Sequence, residues 1–338
     1  MDELSLLREM RDRTPIATDA AIDRGRTKLL QRIDPQSVKL QKKPRRRAVV
    51  RWGLASAATA LVAAALVGGD VFVPGPLRGA ATAQAAEVLN AAAETTIRTA
   101  DLVPGPGQYL KIQSTNIWGS AAVAADGSVH EWLDTEKSTI YIPANRQEEW
   151  IWERSGRIPT TFFDEKSKEY ASSTKPAAGY VLRGNNGGFY GTPPEQSGFP
   201  SQDALAAFPR DPNALLAEIR RQTDGKGQSR DGESLVFIAD LLRTGMVPAD
   251  LRAALYKAAA LVPGVTVTDE QATLDGRKGI AIGRVETASN RRQDIIIDPK
   301  TGLLIGEREV LTKPQGSMPA GTATTWTAIE TTISETAP

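Results

Sequence analysis

Cysteine is absent from the 338 residues, so no disulfide framework, thiolate nucleophile or cysteine-ligated metal site can exist in this chain. The fold rests on packing alone. Histidine occurs once, at His130, which excludes multi-histidine metal sites and leaves a single imidazole for acid–base chemistry. A Gly-x-Ser-x-Gly elbow and a phosphate-cradling Gly-rich loop ending in Lys-Ser/Thr are missing as well. Together these absences point to a non-enzymatic protein with no cofactor and no metal.

What is present is a strong charge asymmetry. Residues 1–51 carry 14 Lys/Arg and 7 Asp/Glu, whereas residues 52–338 carry 27 and 33, so +7 stands against −6. The two parts face different surroundings. Between them runs WGLASAATALVAAALVGG, residues 52–69, with no charged side chain. At 1.5 Å per residue such a helix spans about 27 Å, close to a bilayer core. Lys42, Lys43, Arg45, Arg46, Arg47 and Arg51 flank it on one side, and Asp70 and Arg78 follow on the other. The positive-inside rule then puts the N-terminus in the cytoplasm and the rest outside.

Two alternatives compete with a retained span. A buried Ala-rich core helix is one, although core helices seldom sit beside six positive charges. A cleaved export signal is the other, since Arg46-Arg47-Ala48-Val49-Val50 imitates a twin-arginine pattern and Ala83-Gln84-Ala85 a cleavage site. The organisation expected is a cytoplasmic basic helical segment at 1–48, a transmembrane helix at 49–69, a linker at 70–83 and an extracytoplasmic domain at 84–338.

Within the first segment, Leu4, Leu6, Leu7 and Met10 share one helical face, and Ile22, Leu29, Leu30 and Ile33 make a second stripe. Such short helices need a surface, either the anionic inner leaflet or a cytoplasmic protein partner. Nucleic acid is not among the expected partners.

The outer part reads as α+β. A helix is predicted over 84–100, ended by Pro104-Gly105-Pro106-Gly107, and strands over 109–113, 129–133, 138–142 and 149–154. A Gly- and Pro-rich stretch at 179–200 holds a short strand at 180–182. Helices are predicted from Asp211-Pro212, Ser234 and Pro248, and strands over 265–269, 278–286, 294–298 and 303–311. Strands interrupted by a helical block predict a curved, one-sided antiparallel sheet that the block covers.

Glu3-Leu4-Ser5-Leu6-Leu7-Arg8 with Thr14-Pro15, Gly25-Arg26 before Leu29-Leu30, and the single span resemble a family of actinobacterial single-pass membrane proteins without an assigned function. Phe208-Pro209-Arg210-Asp211-Pro212, Val262-Pro263-Gly264-Val265 and Ile297-Asp298-Pro299-Lys300-Thr301-Gly302 extend the resemblance over nearly the whole chain. Its members are often encoded beside extracytoplasmic-function sigma factors, which implies a signalling role with a sigma factor as cytoplasmic partner. The order of elements is also similar to the fold of periplasmic lipoprotein carriers and of sensors acting on anti-sigma factors. That likeness implies, as the alternative, a carrier or chaperone for lipid or lipoprotein.

The chemical signals are weak. Ser172-Ser173-Thr174-Lys175, Ser114-Thr115-Asn116 and Lys300-Thr301-Gly302 imitate the triplet of penicillin-binding enzymes, but in the wrong order. His130 and the carboxylates Glu131, Asp134, Glu136, Glu148, Glu149 and Glu153 read as faces of a sheet rather than a catalytic or metal constellation. Trp118, Trp132, Trp150 and Trp152 fall in the first sheet and are the candidate ligand groove, for an apolar or peptide ligand, unless they are simply core.

Overall fold

Two stretches of 15 residues, β1 (Tyr109–Val123) and β2 (Val129–Pro143), pair without a slip from Tyr109↔Pro143 to Val123↔Val129. They form the longest hairpin of the computed structural model, which describes residues 80–193 and 196–338. The segments expected to be cytoplasmic and membrane-spanning, 1–48 and 49–69, lie outside the described residues. Among the described residues no helix is long and apolar enough to cross a membrane.

Before β1 comes α1 (Ala83–Arg98), whose first turn is capped by the Thr82 hydroxyl accepting from Ala85 N. After β2 follow β3 (Glu149–Arg154), β4 (Ile158–Phe162), α2 (Glu165–Ser173) and β5 (Tyr180–Asn185). The helical block holds α3 (Gln202–Ala207), α4 (Pro212–Gln222), α5 (Arg230–Leu242) and α6 (Ala249–Ala259). The strands β6 (Val265–Leu274), β7 (Arg277–Glu286), β8 (Arg291–Ile297), β9 (Leu304–Leu311) and β10 (Ala323–Ser334) complete it. Asp211 caps α4 ahead of Pro212, the arrangement its sequence predicts.

All described strand pairs are antiparallel, in the order β5-β3-β2-β1-β10-β9-β8-β7-β6, with β4 paired to the far half of β2. The α+β class and the large antiparallel sheet expected from the sequence are therefore present. Several details differ. The two strands predicted at 129–133 and 138–142 are one, and β4, α2, α3 and β10 are additional. β10, the last strand in sequence, lies at the centre between β1 and β9.

Alternation sorts the sheet into two faces. Leu110, Ile112, Ile140, Ile142, Trp150, Ile282, Ile295, Ile297 and Ile329 join α1 and the helical block in one core, with Leu215, Ile219, Leu235, Ile238, Leu251 and Leu255 fully buried from the helix side. Each such side chain contributes about 1.5–3 kcal/mol when taken from water. The other face is not bare. The β6–β7 tip curls back over it, so that Leu274 packs with Ile305 and Ala328 while Arg277 Nη2 donates to Ile305 O at 3.1 Å. Beside this cluster the fully buried Asp294 carboxylate accepts from Arg292 Nε and Arg308 Nε, both at 2.9 Å, and from Thr268 Oγ1 at 3.0 Å. A buried charge is tolerated there because its oxygens are answered on all sides.

Candidate functional site

The sheet opens where two of its central strands part. β10 pairs with β9 only as far as Ala328↔Gly306, yet it runs on to Ser334 with β1 as its partner. Past Gly306 the β9 chain swings away into the β8–β9 turn. There Asp298 accepts from Lys300 N and Thr301 Oγ1, both at 2.9 Å, and its own N–H donates to Leu303 O. Gly302, at φ 67°, lets the turn press against α1. A fissure is left between residues 329–331 and 303–305.

On the helix side the fissure widens into a cavity of about 900 Å³. Leu110, Leu242, Met246, Ile280, Leu304 and Ile329 from strands and helices alike give it a continuous aliphatic part, and charged side chains, Lys278 and Lys300 among them, line the rest. The α5–α6 connection roofs it at Gly245, a residue at φ 68° whose Cα hydrogen points at Ile112 and Thr331 where a methyl group would crowd both. Leu102, Val103 and Leu303 stand exposed on the rim, Val103 at 80%.

Three arginines line the same space. Arg252 is committed: it donates to Thr96 Oγ1, to Val247 O at 2.8 Å and to Asp101 Oδ1 at 3.0 Å. Asp101 Oδ2 accepts in turn from Ala249 N at the start of α6, so the loop after α1 is tied to the helical block. Arg277 donates to Ile305 O. Arg146 stands in the β2–β3 turn, held by its own carbonyl accepting from Trp150 Nε1 at 2.9 Å. Its guanidinium has no acceptor among the described residues, and burial pushes its pKa down. This arrangement can enclose an apolar molecule; it places no nucleophile beside a base. Among the described residues no group of three His, Asp or Glu side chains could hold a metal.

The four tryptophans do not form one groove. Alternation puts all of them on the same face, but as two separated pairs. Trp150 is buried and Trp152 half-buried in the main core, where both meet Phe199 and Trp152 also meets Phe189. Trp132 is buried at the distal end of the hairpin against Tyr170, its Nε1 donating to Asp134 Oδ1 at 2.8 Å. Trp118 lies under the Arg157 guanidinium, 4.7 Å from its ring centroid, and its Nε1 has no acceptor among the described residues. A polar belt separates the pairs: Ser138 accepts from Trp152 Nε1 at 3.3 Å, and Glu136 pairs with Arg154 and Arg157. Burial works against the Glu136 charge, but the two guanidiniums outweigh it and hold the carboxyl below its ordinary range. None of the four tryptophans lines the cavity.

His130 stacks on Tyr170 at 4.7 Å, with Ser128 Oγ 3.0 Å from its Nε2 and that hydroxyl donating to Asp126. The serine sits between acid and imidazole, the reverse of a nucleophilic triad. Ser172 is exposed in the last turn of α2 rather than opening a helix, and Lys300 is in the β8–β9 turn. The residues that do build the cavity were not singled out by the sequence, because the fissure depends on β10, whose Thr-rich run carries few large apolar side chains.

No protein-family model and no curated protein matches the chain. Among solved structures, the MucA/MucB complex of Pseudomonas aeruginosa aligns over 74% of this chain at 12% identity with a TM-score of 0.26. The chain covers 57% of that structure's length. A DUF1329 family protein from Desulfovibrio piger aligns over 72% of this chain and 92% of its own length, at 9% identity and a TM-score of 0.17. Both likenesses are distant.

Proposed function

We propose that this chain is a non-enzymatic, membrane-anchored protein whose domain over residues 84–338 lies outside the cytoplasm and binds an apolar ligand. The observation that carries the reading is the cavity of about 900 Å³ with its continuous aliphatic part. Its volume is in the range that small-molecule sites occupy. In this reading the domain is a sensor: occupancy is reported through the anchor at 49–69 to residues 1–48, whose two apolar stripes dock a cytoplasmic partner such as a sigma factor.

Binding is tested with the full-length chain and Nile red, a neutral dye that brightens in apolar sites. Saturable enhancement, displaced by dodecan-1-ol, is expected; a signal that never saturates or that dodecan-1-ol leaves untouched would overturn the reading. A second use, carriage of lipid or lipoprotein, is favoured by the exposed rim of Leu102, Val103 and Leu303, which suits the hand-over of apolar cargo. Recovery of a sigma factor on the full-length chain but not on one lacking residues 1–48 supports the sensor. Ligand transfer to acceptor vesicles without any such partner supports the carrier.

A further inference from the structure

Five cations line the cavity; Lys278 and Lys300 are exposed to water, and the three arginines are at least partly buried. A guanidinium carries five N–H donors in a planar fork and no acceptor, so taking it out of water without a partner costs several kcal/mol. Of the three arginines in the wall, Arg252 has three protein acceptors and Arg277 has one, whereas Arg146 has none among the described residues. The carboxylates around the same space are already engaged or far off. Asp101 serves Arg252 and the α6 N-terminus, Asp298 serves its own turn, and Glu270 accepts from Gln84 Nε2 at 2.9 Å. Glu330 is exposed on β10 and makes no ion pair with Arg146. Arg146 itself is half-buried in the β2–β3 turn.

The surroundings of Arg146 are directional. From the β2–β3 turn the wall passes Leu110 on β1, Ile329 on β10, Leu304 on β9 and Ile280 on β7. That crosses four strand spacings from β1, roughly 20 Å of apolar surface. At the far end Arg277 is taken up by Ile305 O and Lys278 is exposed to water, whereas Arg146 is half-buried at the near end, so a molecule with an anionic head and an apolar tail fits with its head at Arg146.

We infer that the occupant is an anionic amphiphile, its carboxylate or phosphate held by Arg146 and its alkyl chain lying along Leu110, Ile329, Leu304 and Ile280. The inference rests on the apolar-ligand reading above and adds the charge of the ligand and the residue that selects it. A planar guanidinium meets either anion with two parallel N–H···O bonds, which a hydroxyl cannot match.

The test uses the full-length chain loaded with Nile red and displaced in turn by dodecanoate, dodecyl phosphate, dodecan-1-ol and inorganic phosphate. Both anionic dodecyl compounds are expected to displace the dye at concentrations about tenfold lower than dodecan-1-ol. Arg146→Gln should remove the advantage of the anions over the alcohol, and Arg146→Lys should restore part of it. A thermal midpoint within a few degrees of the native chain's serves as the proof that the variant is folded. The inference is overturned if the alcohol binds as tightly as the anions in the native chain, or if Arg146→Gln keeps their advantage. Displacement by inorganic phosphate alone would also overturn it, since the site would then belong to a small anion. Failure of Nile red to bind at all is a different result, and removes the apolar-ligand reading together with this one.

Discussion

The Arg243 guanidinium lies 3.0 Å from the Glu307 carboxylate and so ties the end of α5 to the helix-facing side of β9. Glu307 is nonetheless pushed up to about 7, because burial dominates, with Asp240 and Glu309 adding to it and Arg243 and the Gln293 amide opposing. A carboxyl with a raised folded-state pKa prefers its proton in the native state. Its stabilisation is full below the ordinary carboxylate range and is lost as the pH climbs through about 7. Urea unfolding should therefore show stability falling between pH 5 and pH 8 by something on the order of 2 kcal/mol from this group. Glu307→Gln should flatten that slope and exceed the native chain at pH 8; equal slopes in the two proteins would contradict the assignment.

Gly302 sits at φ 67°, where an added Cβ would come within 2.5 Å of Ala92 O and 2.7 Å of Thr96 N in α1, and its own carbonyl accepts from Tyr256 Oη at 2.9 Å. Gly302→Ala combines backbone strain with a collision against main chain that cannot move aside. It should lower stability by about 3 kcal/mol or more in urea titrations. A loss under about 0.5 kcal/mol would mean that the turn is not seated on α1.

Arg252→Met keeps the aliphatic stem and removes the donors that gather Thr96, Val247 and Asp101. The expected cost is about 3 kcal/mol, with the carboxylate of Asp101 left half-exposed and able to rehydrate. Amide hydrogen exchange should accelerate at residues 100–103 ahead of the core around Trp150. Uniform acceleration across the domain would argue that this arginine is not a local clamp on the cavity wall.

Leu304 is buried in the main core and lines the cavity, so Leu304→Trp reduces the room for a ligand. Nile red and dodecan-1-ol affinity should drop at least tenfold while the thermal midpoint stays within a few degrees. Unaltered binding would locate the ligand elsewhere.

The parts of this fold that the sequence discloses are those with local punctuation. Asp211-Pro212 fixes the start of α4 and Asp298 to Gly302 the β8–β9 turn, because a cap or a positive φ needs particular residues. β2 looks like two strands because Asp134 to Lys137 are polar. The ladder continues through them because Ser120 and Trp132 donate to Asp134 and Arg154 to Glu136. Those partners come from other strands or two residues away, beyond what a period can reveal. α2 carries no helical apolar stripe in EKSKEYASS, and the Asp164 cap and the Tyr170 contacts hold it. The tryptophans do share a face, as alternation implies. Eight residues of extended chain separate Trp132 from Ile140, the partner of Trp152, and that is roughly 27 Å, too far for one groove. The cavity was hidden for another reason: it exists where β10 outruns β9, and no property of either strand alone records the mismatch.

The central place of β10 has a kinetic consequence. Strands β1, β2, β3 and β5 pair among themselves, as do β6 to β9, and the two sets meet only through β10, which follows all of them in sequence. During synthesis both half-sheets can form while β1 and β9 still present unpaired edges, and neither can be sealed until the last strand emerges. The Tyr109↔Ser334 contact then closes a loop longer than most whole domains. A nascent chain stalled before residue 323 is thus a pair of sticky fragments, and a chaperone that shields those edges would matter most in that interval.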